Sequence, residues 1–460
     1  MSKLVERARQ IRSELDLSKL KERGLRRDRR EYEFIVTYPA IAAMSPISQE
    51  DVFTGKPGDR TVHFYVHVPF CTGTCTYCGR FQKFPRQPLR EVENYVGYLE
   101  RELDILRAVP DSEDMKIASL YFGGGTPTYL NARLLKQLGG LVSRLNVLEG
   151  AEFTVEMSPE TVSKVKLEAL SEIGVNRVST GVQSFDNNIL RACERRHDAE
   201  RARKAAEMVR KAGFDNFNID LILGLPGQTL EGWERDLRAA ADCGVSCVTT
   251  YPLEVMPGCQ IAGLRDSAFP SEEESLLMGI MAKEFFSDLG FREDPVHFFA
   301  SSERATQGQN IRKWEGEEWL GLGVSTYQFL NDVQFHNHFD RERYMAVIDS
   351  GRLPIWIGAK LDRNEQMARI MVLGMKRGKV NERSFEEKFG EKPEDVFPEI
   401  KRLVNLSLVE VSDDEIKLTY SGSLFSEEVA TCFFTDETRQ AYERRGSRYG
   451  GHFLAGLPDY

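Results

Sequence analysis

No apolar run in this chain approaches the ~20 residues that a membrane-spanning helix needs. The opening residues, Met1-Ser-Lys-Leu-Val-Glu-Arg, are charged and lack the apolar core of a secretory signal. Positive charge is in deficit: 61 Lys and Arg stand against 71 Asp and Glu, a net charge of −10. Such a field does not favour nucleic acid or an anionic membrane surface. Cysteine is too sparse for a disulfide scaffold, at eight in 460 residues, and a metal-binding use of those thiols implies a reducing interior. No internal repeat or low-complexity stretch is evident. The expectation is a cytoplasmic protein with no membrane or nucleic-acid partner. Its length fits one catalytic domain plus an accessory one.

The scarce cysteines are concentrated. His67-Val-Pro-Phe-Cys71-Thr-Gly-Thr-Cys75-Thr-Tyr-Cys78 places three of them at spacings of four and three, directly after the apolar run Phe64-Tyr65-Val66. Thiolates hold iron–sulfur clusters or zinc, and structural sites of both usually take four protein ligands. Here only three are local. Cys193, Cys243, Cys247, Cys259 and Cys432 lie far away in sequence. A [4Fe–4S] cluster on three thiolates keeps one iron open for a small molecule. On spacing alone, packing cysteines, a zinc half-site completed by His67 and redox-sensing thiols are open alternatives.

From Phe64 to Leu264 the pattern alternates. β-rich runs at Phe64–Val68, Ala118–Phe122, Glu152–Glu156, Val175–Thr180, Phe217–Leu223 and Ser246–Tyr251 are separated by helical patterns at Leu89–Leu106, Ala132–Leu145, Glu160–Ile173, Ala199–Ala212 and Leu230–Ala241. Strands alternating with 10–15-residue helices predict a parallel sheet with right-handed crossovers. In barrels built this way the chemistry collects at the C-terminal ends of strands, and several polar residues fall there. Gly123-Gly124-Gly125-Thr126 follows the second run, where glycines allow close backbone approach and N–H groups turned toward a ligand. Glu156 ends the third run, Gln183 follows the fourth, and Asp220 lies in the fifth, where a carboxylate among apolar residues calls for a partner. Arg195, in Cys193-Glu-Arg195-Arg196-His197, offers a planar, permanently charged fork suited to a carboxylate.

The Cys-x3-Cys-x2-Cys run, with an aromatic before its last cysteine, resembles the signature of radical S-adenosylmethionine (SAM) enzymes. The leading Tyr65-Val-His67-Val-Pro69-Phe70 is similar to the subfamily of oxygen-independent coproporphyrinogen III dehydrogenase, which also contains SAM-dependent methylases, cyclopropanases, haem-degrading enzymes and haem chaperones. The resemblance extends from about Tyr65 to Phe434. It implies an α/β fold: an open (β/α)6 partial TIM barrel at 61–350, an N-terminal arm at 1–60, a small mainly helical, winged-helix-like C-terminal domain at 355–434 and a tail at 435–460. It implies a [4Fe–4S] cluster on Cys71, Cys75 and Cys78. Tyr65, Gly124, Glu156 and Pro252 then match contacts of a cluster-bound SAM, with Tyr65 and Glu156 at the reacting centre. Tyr77, Gly125, Thr126, Gln183, Arg195 and Asp220 match contacts of a second SAM.

The subfamily also implies a small-molecule substrate and a low-potential electron donor such as flavodoxin or ferredoxin. Its dehydrogenase carries another cysteine two residues after the third ligand, where this chain has Arg80, and the Asp-Phe that follows the third cysteine in haem chaperones is also missing, with Gly79-Arg80 in its place. The expectation is therefore a two-SAM enzyme that methylates or cyclopropanates an sp2 carbon through a SAM-derived methylene radical. Oxidative decarboxylation of coproporphyrinogen III and haem trafficking are the alternatives. The Tyr38-Pro39 segment is a candidate cover over the barrel mouth. His336 and His338, two apart, find no cysteine or carboxylate spacing to make a metal site.

Overall fold

The computed structural model of the chain describes residues 2–444 except 23–24, 26–34, 56–59, 80–83, 113, 257, 304 and 306. Arg80, most of the charged stretch from Glu22 to Tyr32, and the tail beyond residue 444 lie outside the described residues.

Six parallel strands form where the β-rich runs predict them: β1 (Thr61–Val68), β2 (Lys116–Gly124), β3 (Asn146–Met157), β4 (Arg177–Gln183), β5 (Asn216–Leu223) and β6 (Cys247–Pro252). Their helices are α1 (Leu89–Arg107), α2 (Ala132–Val142), α3 (Lys164–Glu172), α4 (Ala199–Lys211) and α5 (Leu230–Asp242). Four of the five begin on a side chain or a proline suited to the task. Asn131, Asp198 and Thr229 accept from the first-turn N–H groups of α2, α4 and α5, and Pro88 precedes α1. β1 is buried along nearly its whole length, as a parallel strand covered on both faces must be.

The sheet then grows at both ends. After the helix α6 (Glu272–Asp288) and the short helix α7 (Gly308–Trp314), β7 (Trp319–Leu322) pairs parallel to β1. β8 (Tyr327–Leu330), β9 (Val333–Asn337) and β10 (Ile355–Lys360) follow as an antiparallel meander. The complete sheet has 13 strands, and its edges are Ser45–Pro46 beside β10 and Arg292–Glu293 at the far end, so it remains open. Tyr65, Tyr121, Glu156, Ile222, Tyr251, Trp319 and Tyr327, from β1, β2, β3, β5, β6, β7 and β8, line one cavity, so the sheet curls around it.

Two expectations shift. Residues 355–360 belong to the large sheet as β10, so the helical C-terminal unit starts at α8 (Arg363–Arg377). The described part of the first 60 residues is no free arm. Ser45–Pro46 pairs with β10, and Arg7 on the helix Lys3–Ser13 meets Glu284 and Asp288 of α6. Tyr38 is fully buried, its hydroxyl 3.3 Å from both Thr435 and Thr438. It is tied to the C-terminal unit.

Candidate active site

The residues Phe70–Cys78 leave β1 as a loop held from below by the β2 turn. Gly125 N–H donates to Val68 O (2.9 Å) and Thr126 N–H to Phe70 O (2.7 Å). A Cβ on Gly125 would lie 2.7 Å from the backbone at Val68, Pro69 and Phe70, so only glycine permits the approach. Gly124, at φ +101, gives its N–H to Glu156 Oε2 (3.1 Å). This changes the sequence reading of the glycine loop. Its N–H groups are engaged by the protein, and the glycines serve to bring β2 against the cysteine loop.

Around the three free cysteines the side chains are matched to thiolate. Thr126 Oγ1 lies 3.7 Å from Cys71 Sγ, and Arg195 Nη1 lies 3.3 Å from Cys75 Sγ and 3.4 Å from Tyr77 Oη. Arg195 Nη2 reaches Ser158 Oγ (3.1 Å) and the Gly181 carbonyl. Burial works against the Arg195 charge, but Tyr77, Cys75 and Glu160 outweigh it and hold the guanidinium protonated. Among the described residues no three metal-ligating side chains converge as around a single ion. A cubane cluster presents each thiolate to a different iron, so three thiols on one loop, beside a fixed cation, fit that group.

The four residues matched to the cluster-bound SAM, Tyr65, Gly124, Glu156 and Pro252, line one cavity of about 330 Å3 with Tyr77 and Cys78. Glu156 accepts from Tyr121 Oη (2.7 Å) as well as from Gly124. Tyr65 Oη sits 3.2 Å from His67 Nδ1. Burial first, and the Glu156 charge next, push the Tyr65 hydroxyl well above its ordinary pKa, so it stays a neutral donor. Of the second set only Tyr77 lines that cavity. Thr126 and Arg195 contact cluster cysteines instead, and Gly125 underlies their loop. Asp220 is held by Ser179 (3.0 Å) and Asn218 (2.8 Å), and burial raises its pKa. Gln183 sits at φ +73 with its Oε1 buried and unpartnered, an acceptor free for a donor from a ligand such as SAM.

Glu160 was invisible as a site residue, because its position reads as the start of a helix. In the structure it accepts from Thr72 Oγ1 (2.6 Å) inside the cysteine loop and from Ser158 Oγ (2.5 Å), with His197 Nδ1 at 3.4 Å. Burial alone would raise its pKa, but His197, Arg195, Ser158 and Thr72 together hold its carboxyl well below the usual range. The only sequence signal is the Ser158-Pro159 turn at the end of a strand. His197 is thus a buried partner of Glu160, and Arg196 packs over Gly73 of the same loop. His336 is buried and unpartnered, and no described metal group includes it.

Comparison with known proteins agrees with this geometry. The family model of the radical SAM superfamily matches residues 65–240, and that of the HemN C-terminal domain matches residues 361–425. The chain is 30% identical to the haem chaperone HemW of Bacillus subtilis over 80% of its own length and 98% of that protein's. It is 27% identical to the oxygen-independent coproporphyrinogen III oxidase of Escherichia coli, covering 90% of this chain and 94% of that one. The solved structure of the Escherichia coli coproporphyrinogen III oxidase HemN superposes with a TM-score of 0.78 at 25% identity, over 92% of this chain and 99% of that chain.

Proposed function

The chain belongs to the radical SAM superfamily and its HemN-like branch, and from that premise we propose that a 5′-deoxyadenosyl radical takes a hydrogen atom from a small substrate held in the aromatic cavity, and that the substrate radical then loses a carboxyl group as carbon dioxide and passes one electron to a one-electron acceptor. The observation that carries the reading is the single cavity running from Tyr77 and Cys78 past Tyr65 and Glu156 to Trp314 and Trp319. Substrate and cysteine loop share one enclosure. The names of the aligned relatives favour an oxidative outcome.

Cys71, Cys75 and Cys78 would hold a [4Fe–4S] cluster, which would supply the electron for reductive cleavage of SAM to methionine and a 5′-deoxyadenosyl radical. Arg195 fixes the loop at Cys75 and supplies permanent positive charge beside it. Glu156, with both oxygens already anchored, presents a carboxylate to an ammonium group at the strand ends. Tyr65, Tyr121 and Tyr251 wall the chamber and keep water from a radical, which is the protein's share of such chemistry. A flavodoxin- or ferredoxin-like donor would deliver the electron.

A second reading, alkylation of an sp2 carbon by a second SAM, is favoured by Arg80 standing where the dehydrogenase has cysteine and by the unpartnered Gln183 Oε1. Anaerobic reconstitution followed by reduction with SAM separates the readings by mass spectrometry. 5′-Deoxyadenosine with carbon dioxide from coproporphyrinogen III supports the oxidative reading. Substrate-dependent S-adenosylhomocysteine moves the assignment to alkylation. Haem binding without SAM cleavage removes both. C75A should abolish 5′-deoxyadenosine formation.

A further inference from the structure

The end of the cavity away from the cysteines carries more hydrogen-bond donors than acceptors to receive them. Lys313, 8% exposed, projects from α7 into a cage of Trp314, Trp319 and Tyr327, its Nζ lying 5.9, 5.9 and 5.1 Å from the ring centroids. The hydrogen-bond partner of this ammonium among the described residues is the Tyr327 hydroxyl at 3.0 Å. An ammonium has three N–H donors. Trp314, 5% exposed and lining the same cavity, has a buried Nε1–H with no acceptor.

Behind the Trp319 ring lies Arg369, 2% exposed, with its Cζ 5.2 Å from that ring and 3.8 Å from Phe329. None of its three nitrogens has a hydrogen-bond partner. Burial pulls its pKa down, and Asp332 opposes the shift without pairing. Lys376 also lies over Trp314, at 5.6 Å, but it is paired with Glu427. Aromatic faces soften a buried cation, yet they do not neutralise it, and unpaired buried charge is costly.

We propose that Lys313, with Trp314 Nε1–H beside it and the field of Arg369 behind, seats a carboxylate of the substrate at the floor of the cavity. The inference rests on the cavity being the substrate chamber. Depth separates this seat from the carboxylate of SAM. Trp319 pairs with His63 and Gly321 with Tyr65. The five steps from His63 to Val68, at ~3.3 Å each, place Trp319 roughly 16 Å below the point where β1 feeds the cysteine loop. The amino-acid end of SAM belongs with the cysteines at the top. An aromatic acid entering carboxylate-first along Tyr65 and Tyr121 would put its carboxylate on Lys313 and leave its far carbon toward the cluster.

The test uses the reconstituted holoenzyme and equilibrium dialysis with 3-(4-nitrophenyl)propionate and its neutral amide. The acid should bind the wild type at least about tenfold more tightly than the amide, as expected of one charge-assisted hydrogen bond. K313M should lower the acid to the level of the amide, and K313R should keep the preference. SAM affinity, dialysed in parallel, should be the same within about twofold in K313M. Equal binding of acid and amide by the wild type overturns the proposal, and so does an acid preference that survives K313M. Loss of SAM binding together with acid binding assigns the seat to SAM and also overturns it. K313Q is read in place of K313M if the latter does not fold. Reductive cleavage of SAM, assayed on the same preparation, is independent. Its absence with the acid preference intact removes the proposed radical chemistry and leaves the anion seat standing.

Discussion

Single atoms decide what the site can hold. Glu156 is an acceptor for Tyr121 and for Gly124 N–H at once. In E156Q the amide can satisfy one of them, and its NH2 then opposes the other donor. SAM affinity should fall by about tenfold or more, measured by equilibrium dialysis of the reconstituted protein, with the circular dichroism spectrum unchanged. Glu160 acts one step further out, by holding Thr72 in the cysteine loop. E160A strands the hydroxyls of Thr72 and Ser158 and the ring of His197. It should cost about 1–3 kcal/mol in urea unfolding and reduce iron incorporation on reconstitution. Restoration of normal iron content in E160A would remove Glu160 from the loop-holding role.

At the scale of elements, α1 is bonded to the β7–β9 end of the sheet through the Glu102 carboxyl and the Tyr95 hydroxyl. Glu102, 1% exposed, accepts from Gly323 N–H (2.7 Å), Asn337 Nδ2 (2.7 Å) and Tyr344 Oη (2.6 Å). Burial raises its pKa to about 7, although those three donors oppose the shift. A folded-state pKa above the ordinary carboxylate value means that the folded protein binds the extra proton. The contribution of Glu102 is therefore full at acidic pH and declines as pH rises from the ordinary carboxylate range to about 7. The loss amounts to about 3 kcal/mol. The stability difference between wild type and E102Q should shrink over that interval and stay level above it, as read from melting temperatures between pH 5 and 8. The alternation that produced β1–β6 and α1–α5 was legible because apolar period and caps are local properties. The pairing of β7 with β1 was not, since residues 319–322 meet residues 63–66 only after more than 250 residues of chain.

Across the whole molecule, the described N-terminal residues are joined to the sheet and to the C-terminal unit. Lys376 of α8 and Glu427 of the helix Ser426–Thr431 form an ion pair with side chains 1% and 3% exposed. Ile35 N–H adds a 3.3 Å bond to the same carboxylate. K376M leaves Glu427 charged and buried and should cost ~3–5 kcal/mol in urea unfolding, while K376M/E427L should recover most of that loss. A single mutant as stable as the wild type would show that the ion pair does not hold α8 to the Ser426–Thr431 helix. The sequence by itself determined the parallel α/β order, the cysteine loop and the strand-end residues Gly124, Glu156 and Asp220, because spacing and periodicity are written along the chain. Tertiary structure alone decided that Glu160 grips the loop, that residues 35–46 join the sheet and the C-terminal unit, and that Lys313 and Trp314 meet at one end of the cavity with Arg369 behind the Trp319 ring. The physical reason is the same in each case: burial and the presence or absence of a partner are properties of three-dimensional neighbours, and these lie as far as 400 residues apart.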